Sequence, residues 1–274
     1  MANYTAADIK ALREATGAGM MDVKRALDEA DGDAAQATEI LRIKGLKGVT
    51  KREGRSASNG LVAAKVEAGV GTLVEVNCET DFVAKGEKFI ALANRVLDQA
   101  VATKASDPAA LLASELDGMP VQALLDEANA TIGEKIEVRH VARVEGPNVV
   151  SYLHRTSPDL PPQIGVLVAY DGDAATAKDV AMHIAAFSPS VMSREEIPAD
   201  TVENERRIAL ETAKEEGKPQ AALPKIVEGR VNGYFAENVL LEQKFAKDQK
   251  KTVQAVLKEA GTRVLCFARI RVGH

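Results

Sequence analysis

Two nine-residue stretches, Ile136–Val144 and Val264–Val272, alternate apolar and polar residues in closely matching fashion. An alternation of period two puts every second side chain on one face, so each stretch reads as a half-buried strand. The segments upstream of them also correspond. Leu61–Val76 reads as a hairpin turning near Gly69–Gly71, followed by a helix over Phe89–Ala102, with Ile136–Glu145 returning as a strand. In the second series Val149–Ala169 supplies the strands, Ala174–Phe187 the helix and Arg263–Val272 the return. The expected fold class is therefore α+β with an internally duplicated core, one subdomain over 61–147 and another over 148–274.

Ahead of this core the period changes to that of helices. Thr5 followed by Asp8 is a near relative of the capping box and opens a helix over Ala6–Ala15, stopped by Thr16–Gly19. A second helix is predicted over Met21–Ala30, with Val23, Ala26, Leu27 and Ala30 inward, and a third over Ala34–Lys44, ending at Gly45. Residues 1–46 thus form an expected three-helix bundle near the lower size limit for a stable unit. Residues 47–60, with Lys47, Lys51, Arg52 and Arg55 among Gly, Ser and Asn, read as a basic, solvated linker. Inside the second subdomain a charged insertion over about 194–235 is broken by Gly217-Lys218-Pro219 and reads as an antiparallel helical hairpin. It serves equally well as an interaction arm or as a cover for the sheet.

Charge and motif content remove several function classes. The formal net charge of −5 argues against nucleic acid as a direct partner. No apolar run is long enough to span a bilayer and the start has no leader-like pattern, so a cytoplasmic protein without a membrane partner is expected. Gly86-Glu87-Lys88 and Gly133-Glu134-Lys135 lack the rest of a phosphate-binding loop, and His140, His154, His183 and His274 are not at metal-site spacing, so no cofactor and no metal are expected. Cys78 and Cys266 lie in strand-like segments and are expected as free thiols. His183 is expected to be a satisfied core residue, whereas His154, ahead of the loop Pro158–Pro162, is expected to be exposed.

The corner Asn77–Lys85 holds the sharpest ambiguity. A β-branched strand, Gly71–Val76, runs into Thr80 and Asp81, both good helix caps. In an unbroken helix Phe82 would share the buried stripe of Phe89, Leu92 and Val96. Gly86 weakens such a helix and lets the first turn stand apart, leaving Phe82 free to enter a partner. Met20 and Met21 raise the same question, since consecutive helical residues cannot both face one core.

Leu12–Leu27, the Thr80–Ala84 corner, Ile132–Lys135 and Ile164–Val168 together resemble the bacterial elongation factor Ts family, over nearly the whole chain and in order. The resemblance implies a non-enzymatic guanine-nucleotide exchange factor for elongation factor Tu, with a ubiquitin-associated-like N-terminal bundle and a helical hairpin that can mediate a homodimer or a 2:2 complex. It further implies that Thr80, Asp81, Phe82 and Val83 form the wedge that disturbs the partner's Mg²⁺ and phosphate site. Arg13, Met20, Met21, Gly133 and His154 are nominated as partner-binding residues. The chain stops right after its last predicted strand, whereas longer members carry a further helical module, so the bundle and the corner are expected to supply more of the interface. Two rival readings make different predictions. An adaptor would bind without affecting nucleotide release, and an enzyme using Cys78 with a histidine would show a reactive thiol.

Overall fold

A computed structural model describes residues 3–16 and 18–274, and for 46–51 the backbone alone. It is a mixed helix and sheet structure, as the α+β class requires. The chain begins with α1 (Ala6–Thr16), α2 (Met20–Glu29) and α3 (Ala34–Arg52). Thr5 N donates to Asp8 Oδ2 at 2.7 Å, the cap read from the sequence. Leu12, Val23, Ala26, Leu27, Ala30 and Ala37 close a small common core. Gly17, part of the predicted stop after α1, lies outside the described residues.

The predicted linker over 47–60 is corrected. The third helix passes through Gly45 to Arg52, so the first part of the supposed tether is helical. The reason is packing. A Cβ at Gly45 would lie 2.7 Å from the Cβ of Ala130, so this glycine marks a close helix approach rather than a helix end. Two basic residues beyond it are held: Arg52 Nη1 donates to the Asn129 carbonyl at 3.3 Å, and Arg55 pairs with Glu79 at 3.3 Å.

The first half of the core contains β1 (Asn59–Glu67), β2 (Val70–Cys78), α4 (Asp81–Ala84), α5 (Glu87–Thr103) and α6 (Pro108–Ala113). The two-residue strands β3 (Glu115–Leu116) and β4 (Met119–Pro120) lead to α7 (Val121–Ile132) and β5 (Glu137–Glu145). The second half contains β6 (Asn148–His154), β7 (Ile164–Asp171), α8 (Ala174–Phe187), α9 (Ala199–Glu215) and α10 (Leu223–Asn238). It closes with β8 (Lys244–Phe245), β9 (Asp248–Thr252), α11 (Val253–Glu259) and β10 (Arg263–Arg271).

Two antiparallel three-stranded sheets, ordered β1-β2-β5 and β10-β7-β6, face each other. Val62, Leu73 and Val144 of one meet Leu167, Ala169 and Ile270 of the other. On the outer faces, Phe89, Leu92 and Val96 of α5 pack on Val74 and Val76, and Val180 and Ile184 of α8 pack on Val166 and Val168. The layers run helix, sheet, sheet, helix. The period-two alternation of each strand feeds one residue to the helix side and the next to the other sheet.

The sheets touch closely where side chains are absent: a Cβ on Gly165 would come within 2.5 Å of Val62 Cγ1. At the end nearest the corner they are also pinned by hydrogen bonds. Val62 N donates to the Pro162 carbonyl at 2.9 Å, and Gln163 Nε2 donates to the Gly60 carbonyl at 2.8 Å. Buried Glu75 accepts from Gly273 N at 2.9 Å and Asn77 Nδ2 at 2.8 Å, and meets His140 Nδ1 at 2.6 Å.

Helices α9 and α10 form the antiparallel hairpin, turning at Gly217 with φ +70°. Ala209, Val227, Val231 and Phe235 build its core, in a cluster with no residue from either three-stranded sheet. The hairpin stands beside the sheets instead of covering them.

Candidate functional site: the strand-to-helix corner

Phe82 is 74% exposed. The helix that would have buried it is interrupted, since α4 ends at Ala84 and α5 starts afresh at Glu87 with Gly86 as its N-cap in an extended conformation. Phe89, Leu92 and Val96 keep the buried stripe, and Phe82 is left on a separate single turn.

That turn is held from behind. Thr80 is the N-cap of α4, accepting from Val83 N at 3.4 Å. Glu134 Oε2 accepts from Glu79 N at 3.1 Å and from Thr80 N at 3.0 Å, and its Oε1 accepts from the Thr80 hydroxyl at 2.6 Å. The exchange is reciprocal: Glu79 Oε1 accepts from Lys135 N at 2.7 Å. Asn59 Nδ2 adds a bond to the Glu79 carbonyl at 2.8 Å. Hydrogen bonds to an ionised carboxylate are about twice as strong as neutral ones, so two acids on facing loops make a stiff brace.

Gly133 makes the brace possible. It ends α7 in the left-handed region at φ +86°, where an L side chain is strained, and turns the chain so that Glu134 faces the corner. Neither Glu79 nor Glu134 is nominated by the sequence as a site residue. The available signal was an acid directly after a helix-ending glycine.

On the outer side, Lys85 Nζ lies 4.6 Å from the Phe82 ring centroid and 3.7 Å from an Asp81 carboxylate oxygen. A cation shared between ring and acid orients both on the surface. Phe82 and Asp81 thus project together, while Val83 is half-buried against the core.

His154 is exposed at the end of β6, as expected, and belongs to the same end of the molecule. Lys85 of the corner and Leu153 and Arg155 beside His154 line one cavity of about 310 Å³. Met20 and Met21 are 58% and 62% exposed at the start of α2, so both point away from the bundle core. Arg13 is exposed on α1. No hydrogen bond or ion pair among the described residues joins Arg13, Met20 or Met21 to the corner. What fixes the bundle relative to the core is α3 against α7, with Arg42 bonded to Glu127.

Cys78 is buried and its thiol donates to the Thr80 carbonyl at 3.2 Å. Burial, and then the charge of Glu134, push it up to about 12. A thiol so reluctant to ionise is a poor nucleophile, which removes support from the enzyme reading.

Residues 79–274 match the family described as Elongation factor TS. The Elongation factor Ts of Micrococcus luteus is 64% identical over 278 aligned positions spanning all of both chains. The chain belongs to the elongation factor Ts family. The Elongation factor Ts of Renibacterium salmoninarum is 65% identical over 277 positions, and that of Kineococcus radiotolerans 64% over 274, again covering both chains completely. As an elongation factor Ts family member the protein belongs to translation elongation and protein biosynthesis. No helix among the described residues is long and apolar enough to cross a membrane.

Proposed function

We propose that the protein is a guanine-nucleotide exchange factor that binds elongation factor Tu and promotes GDP release by disturbing the GTPase's Mg²⁺ and phosphate site. The observation that carries this reading is Phe82, an aromatic left 74% exposed on a corner braced by two carboxylates. A loose aromatic would lose conformational freedom on binding, and a braced one arrives already placed. Phe82 acts as the wedge, with Asp81 as its polar companion; Thr80 holds the turn and Val83 anchors it.

Arg13, Met20, Met21 and His154 contribute affinity, with pliable methionines suited to a protein surface. Gly133 acts through the turn that delivers Glu134. The protein takes no cofactor, performs no covalent chemistry, and works in the cytoplasm. Its bundle, about 1–46, is read as ubiquitin-associated-like, its two sheet-and-helix halves, about 61–147 and 148–274, as a duplication, and its hairpin as a dimerisation arm.

Exchange factor and nucleotide weaken each other's binding reciprocally, through one coupling free energy. Burying Phe82 supplies about 1.5–3 kcal/mol of it, or roughly 10- to 100-fold. The test is release of fluorescent GDP from purified elongation factor Tu. Acceleration by the protein at stoichiometric concentration is the expected result. Binding without acceleration would make it an adaptor and overturn the reading.

A further inference from the structure

At the C-terminal end of α8 a cavity of about 260 Å³ opens beside Ile164, with Met182, Ala185 and Ala186 of the helix on one side. Strand register explains what lines it. Arg271 pairs with Ile164, which pairs with His154, and Arg269 pairs with Val166, which pairs with Tyr152. Residues two apart on a strand share a face, so the two arginines stand on one rim and Tyr152 and His154 on the other. Thr156 and Ser188 complete the polar lining.

This lining is cationic and uncompensated. It holds two guanidiniums, an imidazole and three hydroxyls, but no carboxylate. Among the described residues neither Arg269 nor Arg271 takes part in an ion pair. Arg269 reaches only the Ala185 carbonyl, through Nη2 at 3.4 Å, and its Nε is buried with no partner. Burial, and then the charge of Arg271, press the Arg269 guanidinium below its ordinary pKa. On a chain of net charge −5 such a spot is not a general basic surface.

A buried donor without a partner carries the cost of its lost hydration, and two adjacent like charges add repulsion. One oxyanion between the guanidiniums relieves the repulsion, and the planar fork of arginine suits a carboxylate in particular. The volume admits one acid-bearing side chain and is below that of typical small-molecule sites.

We propose that the cavity between Arg269, Arg271 and His154 receives a single carboxylate, an aspartate or glutamate side chain, of the protein partner. The partner is favoured over a free anion because His154, a residue of the proposed interface, forms one rim of the cavity. His154 lines it, while Leu153 and Arg155, which flank His154 at the end of β6, face the other side of the strand into the cavity that Lys85 of the corner lines. The inference rests on the exchange-factor reading for the identity of that partner.

The test uses the full chain, with Arg271→Gln and Arg271→Glu, Arg271 being exposed enough to replace without opening the core. Far-UV circular dichroism confirms folding of each variant. Affinity for elongation factor Tu is measured at two salt concentrations, and guanidinium NMR signals of the free protein are followed with inorganic phosphate. The expected result is about tenfold weaker binding for Arg271→Gln, more for Arg271→Glu, and a shallower salt dependence in both, because one charge contact is lost. Unaltered affinity and salt dependence overturn the proposal, and if phosphate nevertheless shifts the guanidinium signals the cavity serves free anions instead. Wild-type protein that neither binds elongation factor Tu nor accelerates GDP release overturns both readings. Wild-type acceleration with indifferent variants overturns this one alone.

Discussion

Thr80 and Glu134 are joined twice: the Thr80 hydroxyl donates to one carboxylate oxygen at 2.6 Å and the Thr80 backbone N–H to the other at 3.0 Å. This double contact ties the first turn of α4 to the loop after α7 across a sequence separation of 54 residues. Glu134→Ala removes every bond of the brace on that side, and hydrogen bonds to charged groups are worth about 1.5–3 kcal/mol each. The expected outcome is exchange slowed by roughly one order of magnitude, with faster hydrogen exchange at the Glu79 and Thr80 amides. Glu134→Gln, which keeps one acceptor oxygen, falls between. Unchanged amide protection in Glu134→Ala would show that the brace does not stiffen the corner.

Phe82→Ala separates action from stability. The ring makes little contact with its own core, so the thermal midpoint should shift by no more than corresponds to about 0.5 kcal/mol. The maximal rate of GDP release should nonetheless fall roughly 10- to 100-fold, and more than the affinity for elongation factor Tu. Equal losses in rate and affinity would reduce Phe82 to an anchor.

Acid should destabilise the second half of the core through His183. This imidazole is buried, its Nδ1 accepts from Ala246 N at 3.1 Å, and its Nε2 lies 2.8 Å from Gln243 Oε1. Burial lowers its pKa below the usual 6.5 despite the Gln243 bond. The neutral form is therefore the one the fold accepts, and its contribution is present above the unfolded-state value and lost as pH falls through the folded one. Thermal midpoints between pH 7.5 and pH 5 should decline, and His183→Gln should flatten that decline. An identical slope in the variant would assign the acid sensitivity elsewhere.

Gly165→Ala should push the sheets apart. Its Cβ would meet Val62 Cγ1 at 2.5 Å and Leu73 Cδ2 at 3.0 Å, between packed strands that have little room to give. Overpacking of this kind costs about 1–3 kcal/mol. Denaturant unfolding measures it, and a loss below about 0.5 kcal/mol would show the sheets to be more yielding than their packing suggests.

Much of the architecture was legible because periodicity is local. The alternation in Ile136–Val144 and Val264–Val272 marks β5 and β10, the Thr5 and Asp8 spacing marks the start of α1, and Gly217-Lys218-Pro219 marks the turn of the hairpin. The end of the third helix is not legible in the sequence for the complementary reason. A glycine in a helix is a weak stop by propensity, and only the approach of Ala130 reveals Gly45 as a contact.

At the site, sequence by itself determined which residues stand at the corner and that Gly86 can detach the turn bearing Phe82. It could not choose between core and surface, because burial depends on what packs there from elsewhere in the chain. Tertiary structure decided that Phe89 fills the core and Phe82 does not, and it brought Glu134 and Lys135 back from beyond α7 to brace the corner. The physical reason is range. Helical and strand periods are set within a few residues, whereas a carboxylate meeting a backbone amide 54 positions away is fixed only once the sheet and its helices have closed.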